Sequence, residues 1–249
     1  MLWYKSWLET RWRFLIGLAL LSCSAAGAVL TYPKVRELME YVPTNLGGMI
    51  GDRIREAAQL ASSYRGYVWS NWFRQNLAQT GTLFAVLLGI ASVFSPSRGA
   101  LFTLSLPVSR PRVLGVRAAT GLAELSVLAF LPSLFLPLLA PAIHQSYSVG
   151  DALVHGFCFL VAASLFFSLA LLLSTIFGDP WRPLLITLGI AIAISIVEQL
   201  FGFTGVFRVM SGESWFRDGR LPWLGLLATA ALSASIYYGA VRNLARRDF

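Results

Sequence analysis

Ser95-Pro-Ser-Arg-Gly-Ala-Leu-Phe-Thr-Leu-Ser-Leu-Pro-Val-Ser-Arg-Pro-Arg-Val-Leu-Gly115 separates two apolar stretches of membrane-spanning length, and its reading decides what kind of protein surrounds it. Residues 95–112 hold three arginines, Arg98, Arg110 and Arg112, and no acid. Ser95-Pro96 and Gly99 mark a turn in front; Pro107 and Ser109-Arg110-Pro111 mark another behind. Between them, Ala100 to Leu106 forms a short amphipathic piece able to lie along a membrane surface. Leu101, Leu104 and Leu106 then face the apolar side, and Thr103 and Ser105 face water or a partner. A basic surface helix that binds lipid headgroups has the same composition.

Outward from this segment the chain is apolar. It is 56% hydrophobic and 13% charged over 249 residues, with a mean hydropathy of +0.65, against roughly 25% charged residues in soluble domains. Six stretches have the roughly 20 residues that cross a hydrocarbon core as helix. They run Phe14 to Tyr32, Leu77 to Phe94, Val113 to Leu139, Ala152 to Phe177, Pro183 to Phe201 and Leu221 to Val241. None alternates with period two, and lipid cannot satisfy an open backbone, so the expected fold is all-α: a polytopic integral membrane protein with six transmembrane helices. With both termini inside, eleven basic residues fall on the cytoplasmic face; six of the nine on the other face sit in one long loop with four acids. That distribution favours the termini inside. Anionic inner-leaflet lipid and the same bias account for the net charge of +8 without nucleic acid.

Leu104-Ser105-Leu106-Pro107-Val108-Ser109-Arg110, preceded by Arg98-Gly99-Ala100-Leu101, resembles a run found after the second span of ABC-2-type (type V exporter) ABC transporter permeases. That run reads Glu-Arg-Glu-x-Gly-Thr-Leu-Glu-x-Leu-Leu-x-Leu-Pro-Val-Ser-Arg and leads into the third span; here Ser95 and Ser97 stand where acids are usual. The resemblance implies that 95–112 is a cytoplasmic coupling segment. Arg98, Gly99, Leu101, Leu104, Leu106, Pro107, Ser109 and Arg110 would dock into an ATP-binding cassette ATPase subunit, which carries the ATP and Mg. It also implies a second permease copy or a related permease, a pathway between the two, and the cytoplasmic (inner) membrane of a prokaryote. No Gly-x-x-x-x-Gly-Lys-Ser/Thr occurs in the chain, so ATP hydrolysis would belong to the other subunit. The reading from another class is a non-transporting anchor, or a regulatory or resistance subunit of a membrane complex.

Residues 1–13, with Trp3, Tyr4, Trp7 and Trp12, read as an interfacial elbow helix or an aromatic belt ahead of span one, and five further spans argue against a cleaved signal. Residues 33–76 form an extracytoplasmic loop with one or two short helices within Val42 to Tyr67. Residues 202–220, aromatic and glycine-rich, read as a re-entrant or interfacial segment. Intramembrane acids are functional candidates, which selects Glu124 and Glu198 as pathway residues. Polar bonding to Ser126 or another helix is the alternative for Glu124, and contact with the interface for Glu198. Pro132, Pro137 and Pro141 are expected to kink or break span three near its outer end. His144 and His155 do not have the spacing of a helical metal pair, and no catalytic constellation is visible, so neither a metal site nor a catalytic residue is assigned. Cys23 and Cys158, in different spans, read as packing residues.

Overall fold

A computed structural model describes residues 2–40, 48–90, 109–202 and 204–246; side chains at 39, 40, 48–54 and 110 are outside the description. The described chain is all-helical. The helices are α1 (Leu2–Glu40), α2 (Gly48–Ala61), α3 (Tyr64–Val68), a π-helical stretch (Trp69–Leu77), α4 (Ala78–Gly89), α5 (Arg110–Leu139), α6 (Val149–Ile176), α7 (Trp181–Phe201), α8 (Val206–Ser211), α9 (Glu213–Asp218) and α10 (Trp223–Ala245). Among the described residues, five segments are long and apolar enough to cross a membrane: Leu2–Leu38, Pro111–Ile143, Val149–Ile176, Trp181–Phe201 and Trp223–Ala245. This is the architecture of a multi-pass membrane protein. The remaining expected span, Leu77 to Phe94, is represented by α4, and residues 91–94 lie outside the described residues.

The helix α6 is the axis of the bundle, packed on α4, α5, α8 and α10, while α1 lies along α5. Ser148 caps α6 by accepting the Asp151 N–H at 3.3 Å. Side chains are missing where α4 crosses α6: a Cβ on Gly81 would meet the Phe159 ring, and one on Gly89 would meet the Phe167 carbonyl. Small residues allow such close approach inside a membrane. Hydroxyls join α6 to α10, with Ser168 and Ser233 2.8 Å apart and Ser164 donating to Ser233 at 3.1 Å. Asn243 donates to the Thr175 hydroxyl at 2.9 Å and closes the same pair of helices at its other end.

Two boundaries differ from those read in the sequence. Residues 2–13 and span one belong to a single 39-residue helix with no break at Arg13. Neither proline nor glycine interrupts the chain between Leu2 and Phe14, so the helix continues through the polar flank. It also passes Tyr32 and contains Pro33, which removes one backbone hydrogen bond close to its end. In α5 the helix runs through Pro132 and Pro137 and stops at a 3₁₀ turn, Ala140–Ile143, which contains Pro141. The end of the bundle where α1 and α5 begin and α4 ends is the near end below; the opposite one is the far end.

Candidate functional site

At the near end, α4 stops at Gly89, and Ile90 turns to an extended conformation, φ −67° and ψ 115°. A helix that stops here leaves its last carbonyls without backbone donors. Two arginines from two other helices supply them. Arg13 of α1 donates to the Leu87 carbonyl at 2.9 Å and to Ile90 at 3.3 Å. Arg117 of α5 donates to Leu88 and Ile90, both at 3.1 Å, and reaches the Ser6 carbonyl of α1 at 3.5 Å. The planar guanidinium fork suits two neighbouring carbonyls, and a cation at a helix C-terminus also meets its negative dipole end. Arg117 is only 3% exposed. Two turns further along α5, Glu124 accepts from the Thr10 hydroxyl at 2.6 Å. A cavity of about 20 Å³ bordered by Ser6, Glu9 and Arg117, among others, lies beside this junction.

The candidate coupling residues Arg98, Gly99, Leu101, Leu104, Leu106 and Pro107 lie outside the described residues. Ser109 is the N-cap of α5, in an extended conformation, and its carbonyl accepts from Arg112 at 3.0 Å and from Val113 at 3.2 Å. Arg110 is the first residue of α5. Ile90, held by the two arginines, is the last described residue ahead of the 95–112 segment that the sequence marks for coupling, and Ser109 lies within that segment where the description resumes. Glu124 belongs to the junction between α1 and α5, joined to Thr10 and not to Ser126, whose hydroxyl donates to Leu122.

At the far end, residues 204–219 fold back as α8 and α9. Glu198, near the end of α7 and 3% exposed, accepts the backbone N–H of Phe207 through both oxygens at 3.1 Å and that of Arg208 at 3.3 Å. Gly205 leaves the space for it, since a Cβ there would collide with the carboxylate. Glu198 thus joins α7 to α8 instead of reaching outward. At the other end of α8, the Ser211 carbonyl accepts from Trp69 Nε1 at 3.1 Å and pairs with His155 Nδ1 at 2.9 Å. A carbonyl only accepts, so the His155 proton sits on Nδ1. Gly212 then turns away with φ +64°, and a Cβ there would lie 2.5 Å from His155 Nδ1. Stacking of Phe73 on His155 and of Trp69 on Phe216, both at 4.4 Å, encloses the contact. Asp151 accepts from Arg65 and Trp215, each at 3.1 Å.

Between α2, the π-helical stretch, α4, α7 and α8 lies a cavity of about 460 Å³. Ser70, Gln75 and Gln79 line it from the π-helical stretch and α4, Ser195, Glu198 and Gln199 from α7, and Arg208 from α8. The structure places Glu198 here and Glu124 at the near end, so the two candidate pathway acids do not meet. No family model, curated protein or solved structure matches this chain.

Sequence reading missed three features. Arg117 falls within span three, seven residues before Glu124 and therefore on the same face, which was a readable signal for a buried charge. Gln75/Gln79 and Ser195/Gln199 are four apart on their helices, but nothing in a single helix shows that the two pairs face a common cavity. The Ser211 contact with Trp69 and His155 joins residues 142 and 56 positions apart, beyond any local pattern. Cys23 is exposed, Cys158 is buried, and both are free thiols.

Proposed function

We propose that this chain is the permease subunit of an ATP-driven exporter of the ABC-2 type, moving an amphipathic, lipid-like or natural-product substrate across a cytoplasmic membrane. ATP would be hydrolysed on separate ATP-binding cassette subunits, two of which would sit beneath a pair of permeases with their termini on the cytoplasmic side. The observation that carries this reading is the polar cavity of about 460 Å³ between the second-span run and α7. Most of its lining belongs to 56–75 and 207–213, read as extracytoplasmic, while Gln79, Ser195 and Gln199 carry polar groups towards it from the ends of two spans, the arrangement of a site where cargo would leave the membrane.

The near end fits the same scheme. Force applied to 91–108 by an ATPase reaches α4 at Ile90, and the Arg13 and Arg117 bonds carry it to α1 and α5 together. Movement of α4 against α7 would then alter the cavity at the far end. The tagged chain is co-expressed with ATP-binding cassette subunits from its own genome and purified in detergent, alongside a Gly99→Trp, Leu106→Asp, Arg110→Glu triple variant. Recovery of a stable complex with the native chain and its loss in the variant is expected. A native chain that recruits no ATPase, or a variant that binds as well, overturns the transport reading and puts an anchoring or regulatory role in its place.

A further inference from the structure

We propose that the far-end cavity binds the uncharged, polyhydroxylated headgroup of an amphiphile, a sugar-headed lipid in chemical class. As a statement about cargo this rests on the transport reading; as a statement about binding it stands on the cavity alone.

The charged groups in and around the cavity are already engaged with one another. Both Glu198 oxygens are taken by the α8 backbone. Glu56 pairs with Arg74 and with Arg217, each at 3.8 Å. Glu213 pairs with Arg217 at 2.8 Å and with Arg208 at 3.6 Å, and Arg74 also lies over the Trp69 ring at 5.6 Å. Among the described residues that line the cavity or pair with its lining, three acids face three arginines, so their charges balance and leave little field of either sign to select a phosphate or an ammonium group.

The uncommitted groups are neutral. Ser70, Gln75, Gln79, Ser195 and Gln199 make no hydrogen bond through their side chains to another described residue. Each glutamine offers two N–H donors and a carbonyl acceptor, and each serine offers a hydroxyl. Gln75 and Gln79 stack one turn apart on one wall, as Ser195 and Gln199 do on the other. A ligand between them must give and take hydrogen bonds on two sides without charge. Vicinal hydroxyls do so; a phosphate diester only accepts, and a quaternary ammonium group does neither. Phe207, half-buried at the edge, adds aromatic surface for the apolar face of a ring. The tail has a place as well, because Ile192, Ile196 and Leu200 are exposed on the turns of α7 that carry Ser195 and Gln199. The volume falls in the range of small-molecule sites, roughly 300–1,000 Å³.

The test is native mass spectrometry of the full chain released from mixed micelles. These hold glucosyl diacylglycerol, phosphatidylcholine and phosphatidylmethanol, an anionic phosphate diester without hydroxyls, in equal amounts with the same acyl chains. Retention of the glucosyl lipid about tenfold above either phospholipid is expected, equivalent to about 1.4 kcal/mol. A Gln79→Leu/Gln199→Leu variant should lose that preference while keeping its melting temperature, since both side chains are exposed. Gln199→Lys should shift retention towards phosphatidylmethanol. Preferential retention of phosphatidylcholine would make the site zwitterion-selective, and of phosphatidylmethanol anion-selective; either overturns the proposal, as does a glucosyl preference that survives the double leucine variant. No ATPase enters the measurement. Lost ATPase recruitment with an intact glucosyl preference removes the transport reading alone, and the converse removes this inference alone.

Discussion

Arg117→Met is the substitution with the most to reveal about the near end. The native guanidinium donates to Leu88 and Ile90 at 3.1 Å from a position only 3% exposed. In the variant Ile90 keeps its bond from Arg13 at 3.3 Å, but among the described residues no other arginine reaches Leu88. An orphaned buried carbonyl costs about 1–3 kcal/mol. Glu9 and Glu124, the two acids acting on Arg117 electrostatically, lose their buried cation as well. Removing one member of a tightly buried pair costs about 3–5 kcal/mol, and these acids lie beyond contact distance, so a total of about 3–5 kcal/mol is a fair sum. At about 2–4 °C per kcal/mol for a chain of this size, melting should fall by about 6–20 °C. Fluorescence of the eight tryptophans during heating in detergent reads it directly. Arg117→Lys keeps the charge but cannot fork across two carbonyls, and should fall between the two. An Arg117→Met/Glu124→Leu double variant should recover part of the loss, because the uncompensated acid is gone. Melting of Arg117→Met within about 2 °C of the native protein, less than the shift from 1 kcal/mol, would refute the reasoning and show that these carbonyls do not depend on the arginine.

Three further outcomes follow from the far end. Glu198→Leu should leave the Phe207 and Arg208 N–H groups unpaired at about 1–3 kcal/mol each, seen as faster hydrogen exchange confined to 204–212, whereas Glu198→Gln should retain most of the protection. Gly212→Ala places a side chain at φ +64° against His155 and should destabilise by about 1–3 kcal/mol, with Gly219→Ala, where nothing lies within 4 Å, costing less in the same melting assay. Burial, reinforced by Tyr67 and Tyr32, pushes the Tyr64 phenol up to about 12 from its ordinary 10.0. The unfolded chain therefore ionises first, so this contribution is complete below pH 10 and is lost as pH rises towards 12. Melting temperature should be level up to pH 10 and then decline, and Tyr64→Phe should flatten the decline.

The spans were legible where lipid imposes the rule. Ala152 to Phe177 and Pro183 to Phe201 appear as Val149–Ile176 and Trp181–Phe201, because an unbroken apolar run of that length has few other solutions in a membrane. Helix ends were less legible: hydropathy marks where lipid stops, not where the backbone stops, and α1 crosses its first mark for want of a breaker and its second in spite of Pro33. Glu124 and Glu198 were visible as unusual charges, yet their roles depend on Thr10, more than a hundred residues away, and on a backbone that returns only after Gly205. Arg117 was overlooked for a related reason. Near a span terminus an arginine looks like part of the cytoplasmic charge bias, and only the end of α4 reveals what it holds.

The length of α1 has a mechanical consequence. At about 1.5 Å per residue its 39 residues measure about 58 Å, nearly twice a hydrocarbon core of about 30 Å. This rod grips the run from Tyr64 to Ile90 at two heights: Thr31 lies 3.1 Å from the Tyr67 hydroxyl, and Arg13 donates to Leu87. Eighteen residues of rod thus subtend twenty residues of the neighbouring run, nine of which are π-helical. Those twenty residues as ordinary α-helix would overshoot the rod by about 3 Å. The gauge length set by α1 is met because wider, shorter turns take up the slack. Rewinding Trp69–Leu77 would have to release one grip or push Ile90 out by the same distance, which makes the spacing of the two grips a vernier for the position of the end of α4.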